Sequence, residues 1–427
     1  MDIKTGATSL ILATRQGLFA PFHDLATVIV TDEQDQGYKQ WDMSPRYEGR
    51  EAAFTLAKLH QAKLLLTTEA PSLRSLYQLQ RQELSLLNPF RKQPVLKDIE
   101  IINLRIERYQ KNFSPLSAAL KEALTTTIKK GGQALLIIPT RGIASYSVCA
   151  GCKKIFRCPE SSHALRETRQ GHYECPGCTY KTSLFPSCPH CGHLEFWQRG
   201  LGTEKLEEEL HKLFPYTRTA RLDGETVRKH KDLISTYEAI TNGEIPLLIG
   251  TRMLEKRFPL PNLDLIAIID ADNSLSSVDF RGDEHFLQSL TKLSLGRDTA
   301  HTRFIIQSFE PEHHFLRKLK EKSYHEVAEE LLEGRTLLKY PPSSLTYGLH
   351  KNTLTAQSEK KATALLTKLT ADFPEAFFSV REPKKLSLKN TPTLLIRYPL
   401  PIDREFHTRL QALTPYYTVD VNPLHFS

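Results

Sequence analysis

All seven cysteines of this 427-residue chain fall between Cys149 and Cys191. They are spaced Cys149-x2-Cys152, Cys158, Cys175-x2-Cys178, Cys188-x2-Cys191. A Cys-x-x-Cys turn presents two thiolates to one tetrahedral ion, with Zn–S near about 2.3 Å. The start, Met1-Asp2-Ile3-Lys4, has no export signal, so the pairs read as metal ligands and not as a disulfide framework. A redox role would need a thioredoxin-like context, which is missing. Such a site is structural, because every ligand is protein and no position stays open for a substrate. Three complete pairs and a single cysteine suggest two zinc sites sharing eight positions, with one position lost. Cys158-Pro159-Glu160-Ser161 puts Ser161 where a cysteine would sit. His163 or His172 could complete that set as Cys3His; each also reads as an ordinary exposed histidine.

A second constellation has the look of a nucleotide motor. The apolar run Ala26–Val30 leads into Thr31-Asp32-Glu33-Gln34-Asp35. At such a strand end an Asp can hold Mg2+ while a Glu polarises water. Acidic residues also cap strands with no such role. Arg141-Gly142, Gly250-Thr251 and Gly296-Arg297 each adjoin an apolar element, where an arginine can reach a γ-phosphate. Taken alone, they read as surface arginines. The chain has no Gly-x-x-x-x-Gly-Lys-Ser/Thr and not one Gly-Lys dipeptide, so nothing in it would cradle β- and γ-phosphates.

The elements that position these residues follow from periodicity. Apolar runs at Ser9–Ala13, Ala26–Val30 and Lys63–Leu66 are strand-length, with a helix at Arg50–His60. Residues 91–113 read as a polar link. Ser114–Lys130 has helical spacing and ends at Gly131-Gly132, before a buried strand at Ala134–Ile138. The cysteine region follows as an insertion. Beyond it come helix Glu204–Phe214 with Thr203 as N-cap, strand Thr217–Leu222, helix Lys231–Ile240 and strand Pro246–Ile249. Strand Leu265–Ile269, ending in Asp270-Ala271-Asp272, helix Glu284–Leu295 and strand Arg303–Gln307 complete this part. Strand–helix alternation implies parallel sheets. After Lys339-Tyr340-Pro341-Pro342 the pattern changes to strand 345–351, helix 357–372, strands 376–381 and 393–398, helix 402–412 and strand 416–421. That order is the split βαβ, ferredoxin-like one.

Length allows two to four domains. Apolar content of 40% and charge of 25% are ordinary for a globular protein. A net charge of +8 fits a polyanionic partner without requiring one. No run approaches ~18 apolar residues, so no transmembrane helix and no membrane partner is expected, and the cytoplasm is the expected location.

Taken together, these blocks resemble the C-terminal part of the primosomal protein N′ (PriA) family, the bacterial replication-restart helicases. Ala13-Thr14-Arg15-Gln16-Gly17-Leu18-Phe19 resembles the family's Gly-Thr-Arg-Ser-Ala-Leu-Phe block. Asp32-Glu33-Gln34-Asp35 with Tyr38-Lys39-Gln40 resembles its Asp-Glu-Glu-His segment, and Arg46-Tyr47 and Arg50 fit the next block. Gly202-Thr203-Glu204, Gly250-Thr251-Arg252-Met253-Leu254, Asp270-Ala271-Asp272, Asp279-Phe280-Arg281, Tyr340-Pro341-Pro342 and Asp420-Val421-Asn422-Pro423 follow in order. The departures cluster at ATP-coupling blocks. Thr68-Glu69-Ala70-Pro71 stands for Ser-Ala-Thr-Pro, and Lys256-Arg257-Phe258-Pro259 for Lys-Gly-His-Asp-Phe-Pro. The family's arginine-finger block is reduced to Lys292-Leu293-Ser294-Leu295-Gly296-Arg297.

The resemblance implies a fold and a division of the chain. The fold class is α/β. Residues 1–90 form an incomplete first RecA-like helicase lobe, and 91–145 a linker and the start of the second. Residues 146–198 form an inserted zinc-binding module, 199–335 the rest of the second lobe, and 336–427 a ferredoxin-like α+β domain. The family's N-terminal DNA-binding domains and phosphate loop would lie before Met1. By the same resemblance, Cys149, Cys152, Cys188 and Cys191 make one zinc site, and Cys158, Cys175 and Cys178 a depleted one. Asp32, Glu33 and Arg297 would be vestiges of the motor, and Mg-ATP has no complete site. The expected function is a helicase-like, zinc-containing DNA-binding protein of replication restart without its own ATPase. Forked or single-stranded DNA is the expected partner. Replisome proteins such as single-strand binding protein or a replicative helicase loader are further candidate partners. One alternative is an active 3′-5′ helicase subunit or fragment whose phosphate loop comes from another chain. Another is an interaction scaffold of the replisome. Phe185, Phe196 and Trp197 either stack on bases or pack the zinc module.

Overall fold

The computed structural model describes residues 2–40, 45–87, 99–138, 146–159, 163–167, 171–175, 180–182, 187–199, 203–222, 233–251, 260–275, 279–294, 302–352, 355–380 and 394–423. Arg141, Ser161, Cys178, Phe185, residues 252–259 and Gly296-Arg297 lie outside them. The chain divides into two compact units, residues 90–328 and residues 1–89 with 329–427.

The first of these units rests on a six-stranded, wholly parallel sheet. Its order is Thr219–Leu222, Leu247–Gly250, Gln133–Ile137, Leu263–Ile268, Arg303–Ser308, Ile99–Asn103. The inner strands are nearly unbroken apolar runs because a parallel sheet is covered on both faces. Leu136, Ile249, Leu265 and Ile305 are fully buried there. Helices Ala118–Lys129 and Thr203–Leu213 seal the sheet with Leu120, Leu124, Leu206 and Leu210. The first helix begins at Ala118 and not at Ser114, because Ser117 caps it, its hydroxyl accepting from the Leu120 N–H at 3.2 Å. Gly131, at φ +73°, ends it in a conformation that favours glycine.

Two sequence expectations fail here. Residues 91–113, expected as a polar link, contain the edge strand Ile99–Asn103 and the helix Leu104–Tyr109. An edge strand is only half covered, so its Ile-Glu-Ile-Ile-Asn lacks the unbroken apolar run of an inner strand. Ser9–Ala13 forms no strand, and Leu10 and Leu12 stand exposed. Apolar composition alone does not make a strand where no neighbour offers a ladder.

In the other unit, Thr27–Val30 pairs in parallel with Lys63–Leu66. Helix Gly49–Leu59 covers one face of the pair, setting Ala53 and Ala57 against Val28 and Val30. The C-terminal part forms a four-stranded antiparallel sheet ordered Phe377–Val380, Leu394–Pro399, Ser344–Lys351, Tyr417–Val421. Helices Ala356–Asp372 and Arg404–Gln411 connect its strands. Phe406 stacks on Tyr398 at 3.9 Å between ring centres in the core of this part. A buried ion cluster joins the unit's two sequence segments. The Lys39 Nζ pairs with Asp420 at 2.7 Å and donates to the Val421 carbonyl at 2.7 Å. Arg46 reaches the other Asp420 oxygen at 3.2 Å.

Candidate metal centre

Strands Tyr146–Cys149 and Phe196–Arg199 pair antiparallel, with Cys149 opposite Phe196. That pairing brings together two loops of one design. In the first, the Cys149 N–H donates to the Lys154 carbonyl at 2.9 Å, and Lys153 N–H returns to the Cys149 carbonyl at 3.0 Å. In the second, the Cys188 N–H donates to the His193 carbonyl at 2.8 Å, and Gly192 N–H returns to the Cys188 carbonyl at 2.8 Å. The residue after the second cysteine is left-handed in both, Lys153 at φ +60° and Gly192 at +72°. Glycine takes this turn freely, whereas Lys153 does so at a cost of about 1 kcal/mol.

The two loops aim four sulfurs at one point. Cys149 Sγ lies 3.5 Å from Cys191 Sγ, and Cys152 Sγ 3.7 Å from Cys188 Sγ. All four lie within 4.8 Å of one another. A zinc tetrahedron with Zn–S of about 2.3 Å has edges of about 3.8 Å, so this set could hold a metal ion and is compatible with zinc. Burial pushes the Cys149 thiol up to about 12, while the His193 backbone N–H pulls exposed Cys191 down to about 7. An ion entering this site must therefore displace a firmly held proton.

Cys158 and Cys175 are buried and repeat the same loop closure. The Cys158 N–H donates to the His163 carbonyl at 2.8 Å and the Cys175 N–H to the Tyr180 carbonyl at 3.0 Å. In all four loops the first cysteine thus bonds the carbonyl five residues on. Neither His163 nor His172 joins a ligand cluster among the described residues. Phe196 is buried, stacked on Phe156 at 4.4 Å with Tyr173 at 5.4 Å, so it packs the module.

The acidic pair is arranged otherwise. Asp32 follows strand Thr27–Val30 at φ +49°, exposed, and accepts from the Gln34 amide at 3.1 Å. Glu33 is fully buried. It accepts from the Ser72 N–H at 2.7 Å, the Ser72 hydroxyl at 2.9 Å and Arg50 Nη1 at 3.0 Å. Ser72 is itself the N-cap of helix Leu73–Gln80. Arg50 also pairs with Glu48 at 3.1 Å. Burial alone would lower its pKa, but Glu48 and Glu33 together drive it up. Sequence reasoning gave Arg50 no role and passed over Ser72. The capping pattern Ser72 before an apolar helix start was the available signal.

Other acidic residues brace the sheet. Asp272 accepts from the Ser308 hydroxyl at 2.7 Å and the Phe309 N–H at 2.6 Å. Burial, and then Asp270, push its pKa up to about 7. Asp270 accepts from the Tyr146 hydroxyl at 3.1 Å, which ties the first strand of the cysteine region to the sheet.

The fold and site define a mixed α/β protein with a parallel sheet and a four-cysteine cluster able to take a metal ion. No family model matches the chain. It is 32% identical to the replication restart protein PriA of Bacillus subtilis, over 78% of this chain and 42% of that protein. For PriA of Haemophilus influenzae the figures are 32%, 79% and 47%. For PriA of Synechocystis they are 29%, 98% and 53%. The chain is thus PriA-like over most of its length and resembles the C-terminal part of those proteins. It spans about half the length of the curated relatives it matches. A solved S. cerevisiae Dbp5 structure aligns at a TM-score of 0.33 with 9% identity, over 72% of this chain and 63% of that one. A likeness that weak carries no argument. Among the described residues no helix is long and apolar enough to cross a membrane.

Proposed function

We propose that this chain is a helicase-like, zinc-containing DNA-binding protein of replication restart that does not hydrolyse ATP by itself. The similarity to PriA supports the setting. In this reading the parallel sheet is a second RecA-like lobe, and the Thr27–Val30 and Lys63–Leu66 pair belongs to an incomplete first one. The C-terminal sheet is ferredoxin-like, supported by its strand and helix order. Cys149, Cys152, Cys188 and Cys191 hold the zinc ion. Cys158, Cys175 and Cys178 belong to a second, depleted set.

The observation that carries the loss of ATPase is the state of Glu33. A carboxylate that polarises water needs a free oxygen facing it. Glu33 instead spends both oxygens on Ser72 and Arg50. Asp32, Glu33 and Arg297 are vestiges in this reading, and Mg-ATP finds no phosphate cradle. DNA, forked or single-stranded, is the partner, held chiefly through phosphates. Replisome proteins such as single-strand binding protein or a helicase loader are further partners.

ATP hydrolysis by the purified chain, with and without forked DNA, tests this beside Glu33→Gln. Turnover no higher than that of the variant, with DNA still bound, is the expected result. DNA-stimulated turnover that Glu33→Gln abolishes would overturn it and favour a motor whose phosphate site is completed by another chain.

A further inference from the structure

Beside the four-cysteine site the side chains of Trp197 and Lys153 meet two exposed rings. Phe113 meets Trp197 edge to face, with ring centres 5.6 Å apart. The Lys153 ammonium lies 3.9 Å from the centre of the Trp197 ring and 5.8 Å from that of Tyr109. Trp197 is half-buried and anchored. Tyr109 and Phe113 are 61% and 55% exposed. The Trp197–Lys153 pair thus gathers two exposed rings around one anchor.

The segment that carries them is built rigidly. Helix Leu104–Tyr109 starts under the Asn103 cap, whose side chain accepts from the Arg105 N–H at 3.0 Å. The loop after it is fastened by Arg108, which donates to the Asn112 carbonyl and, at 3.1 Å, to the Ser114 carbonyl. Arg108 also lies over the Phe309 ring. Glu107, the one carboxylate of this helix, is buried and accepts from the Ala118 N–H at 3.0 Å. Two exposed cations adjoin these residues, Lys111 between Tyr109 and Phe113 and Lys154 next to Lys153.

We propose that Tyr109 and Phe113, anchored on Trp197 and Lys153, are a stacking platform for unpaired bases of single-stranded nucleic acid. Rings with free faces accept any base, and neighbouring cations take the phosphates. The rings point to unpaired bases and not to duplex, whose bases offer no open faces to a flat platform. The inference rests on the DNA-binding reading above and locates where strands are held.

The test is binding of fluorescein-labelled oligothymidine by the full chain. Tyr109→Ala and Phe113→Ala should each weaken binding about tenfold, while Tyr109→Phe, which keeps the ring, retains it. Lys154→Ala should lower the salt slope by about one. The chain has two tryptophans, Trp41 and Trp197, so a Trp41→Phe variant reports on Trp197 alone. Its emission should be quenched as the oligonucleotide binds. Unchanged affinity of both alanine variants, with the oligonucleotide still bound, would overturn the platform and leave the DNA-binding reading standing. No binding by the unaltered chain at low salt would overturn both.

Discussion

The cysteine module and the acidic pair at Asp32-Glu33 are both clusters of groups able to do chemistry, yet they are built on opposite terms. The four sulfurs converge on one another within 4.8 Å, and burial makes the Cys149 thiol hard to ionise. A metal ion bound at that point would satisfy all four. Glu33 has no such need, because Arg50 and Ser72 already occupy its oxygens. A ligand site is recognised by groups that converge on a common point with only backbone N–H donors around them. A structural carboxylate is recognised by partners that come from the fold itself.

The largest effect should come from emptying the first cluster. A structural zinc site contributes its binding free energy to folding, of order ~10 kcal/mol in small modules. The core behind it is small, centred on Phe156, Tyr173, Leu165 and Phe196. Chelation with a strong zinc chelator, or Cys152→Ala, should therefore unfold this region while the parallel sheet survives. Loss of near-ultraviolet dichroism from the module's aromatics, with far-ultraviolet helix signal largely kept, would show it. A module that stays folded after complete metal removal would break the contrast drawn here.

Next in size is the buried ion cluster around Asp420. Lys39 and Asp420 are both almost wholly buried, and Arg46 shares the carboxylate. Removing one partner leaves a charge in the interior, which costs about 3–5 kcal/mol. Asp420→Ala should lower the melting temperature markedly. Lys39→Met in the same background should recover part of the loss, since it removes the stranded charge. If the double variant melts no higher than the single one, the pair does not act as argued.

How much of this was legible in the sequence depends on where the partners lie. The inner strands announced themselves, because a strand covered on both faces must be apolar throughout, as Ala134–Ile137 and Leu247–Ile249 are. The C-terminal elements were readable within two residues, because strand-length apolar runs and helix-spaced segments alternate there. Ile99–Asn103 was not, since an edge strand tolerates Glu100 and Asn103. Cys-x-x-Cys spacing revealed ligands, but spacing alone did not say which pairs share an ion. That depends on strands Tyr146–Cys149 and Phe196–Arg199 pairing across the whole module. The role of Glu33 was illegible for a similar reason: its partner Ser72 stands 39 residues away. Nothing local distinguishes an Asp-Glu that awaits a metal from one whose Glu is held by a distant helix cap.

The two smallest predicted effects sharpen that last distinction. Glu33→Gln keeps a carbonyl for the Ser72 N–H but removes the charge opposite Arg50. A charged hydrogen bond of this kind contributes about 2 kcal/mol, and Glu48 still compensates Arg50 in part. The variant should melt a few degrees earlier. A catalytic carboxylate would behave in the reverse way, losing turnover with stability intact or improved, because active-site charges are commonly held at a cost to the fold. Ser72→Ala removes the hydroxyl that both caps Leu73–Gln80 and donates to Glu33. Its backbone N–H still reaches Glu33, so the loss should be about 1 kcal/mol. Since Ser72 and Glu33 share one hydrogen-bonded network, the double variant should lose less than the sum of the two single losses. Strict additivity would mean that Glu33 and Ser72 act apart, and the carboxylate would again be free for chemistry.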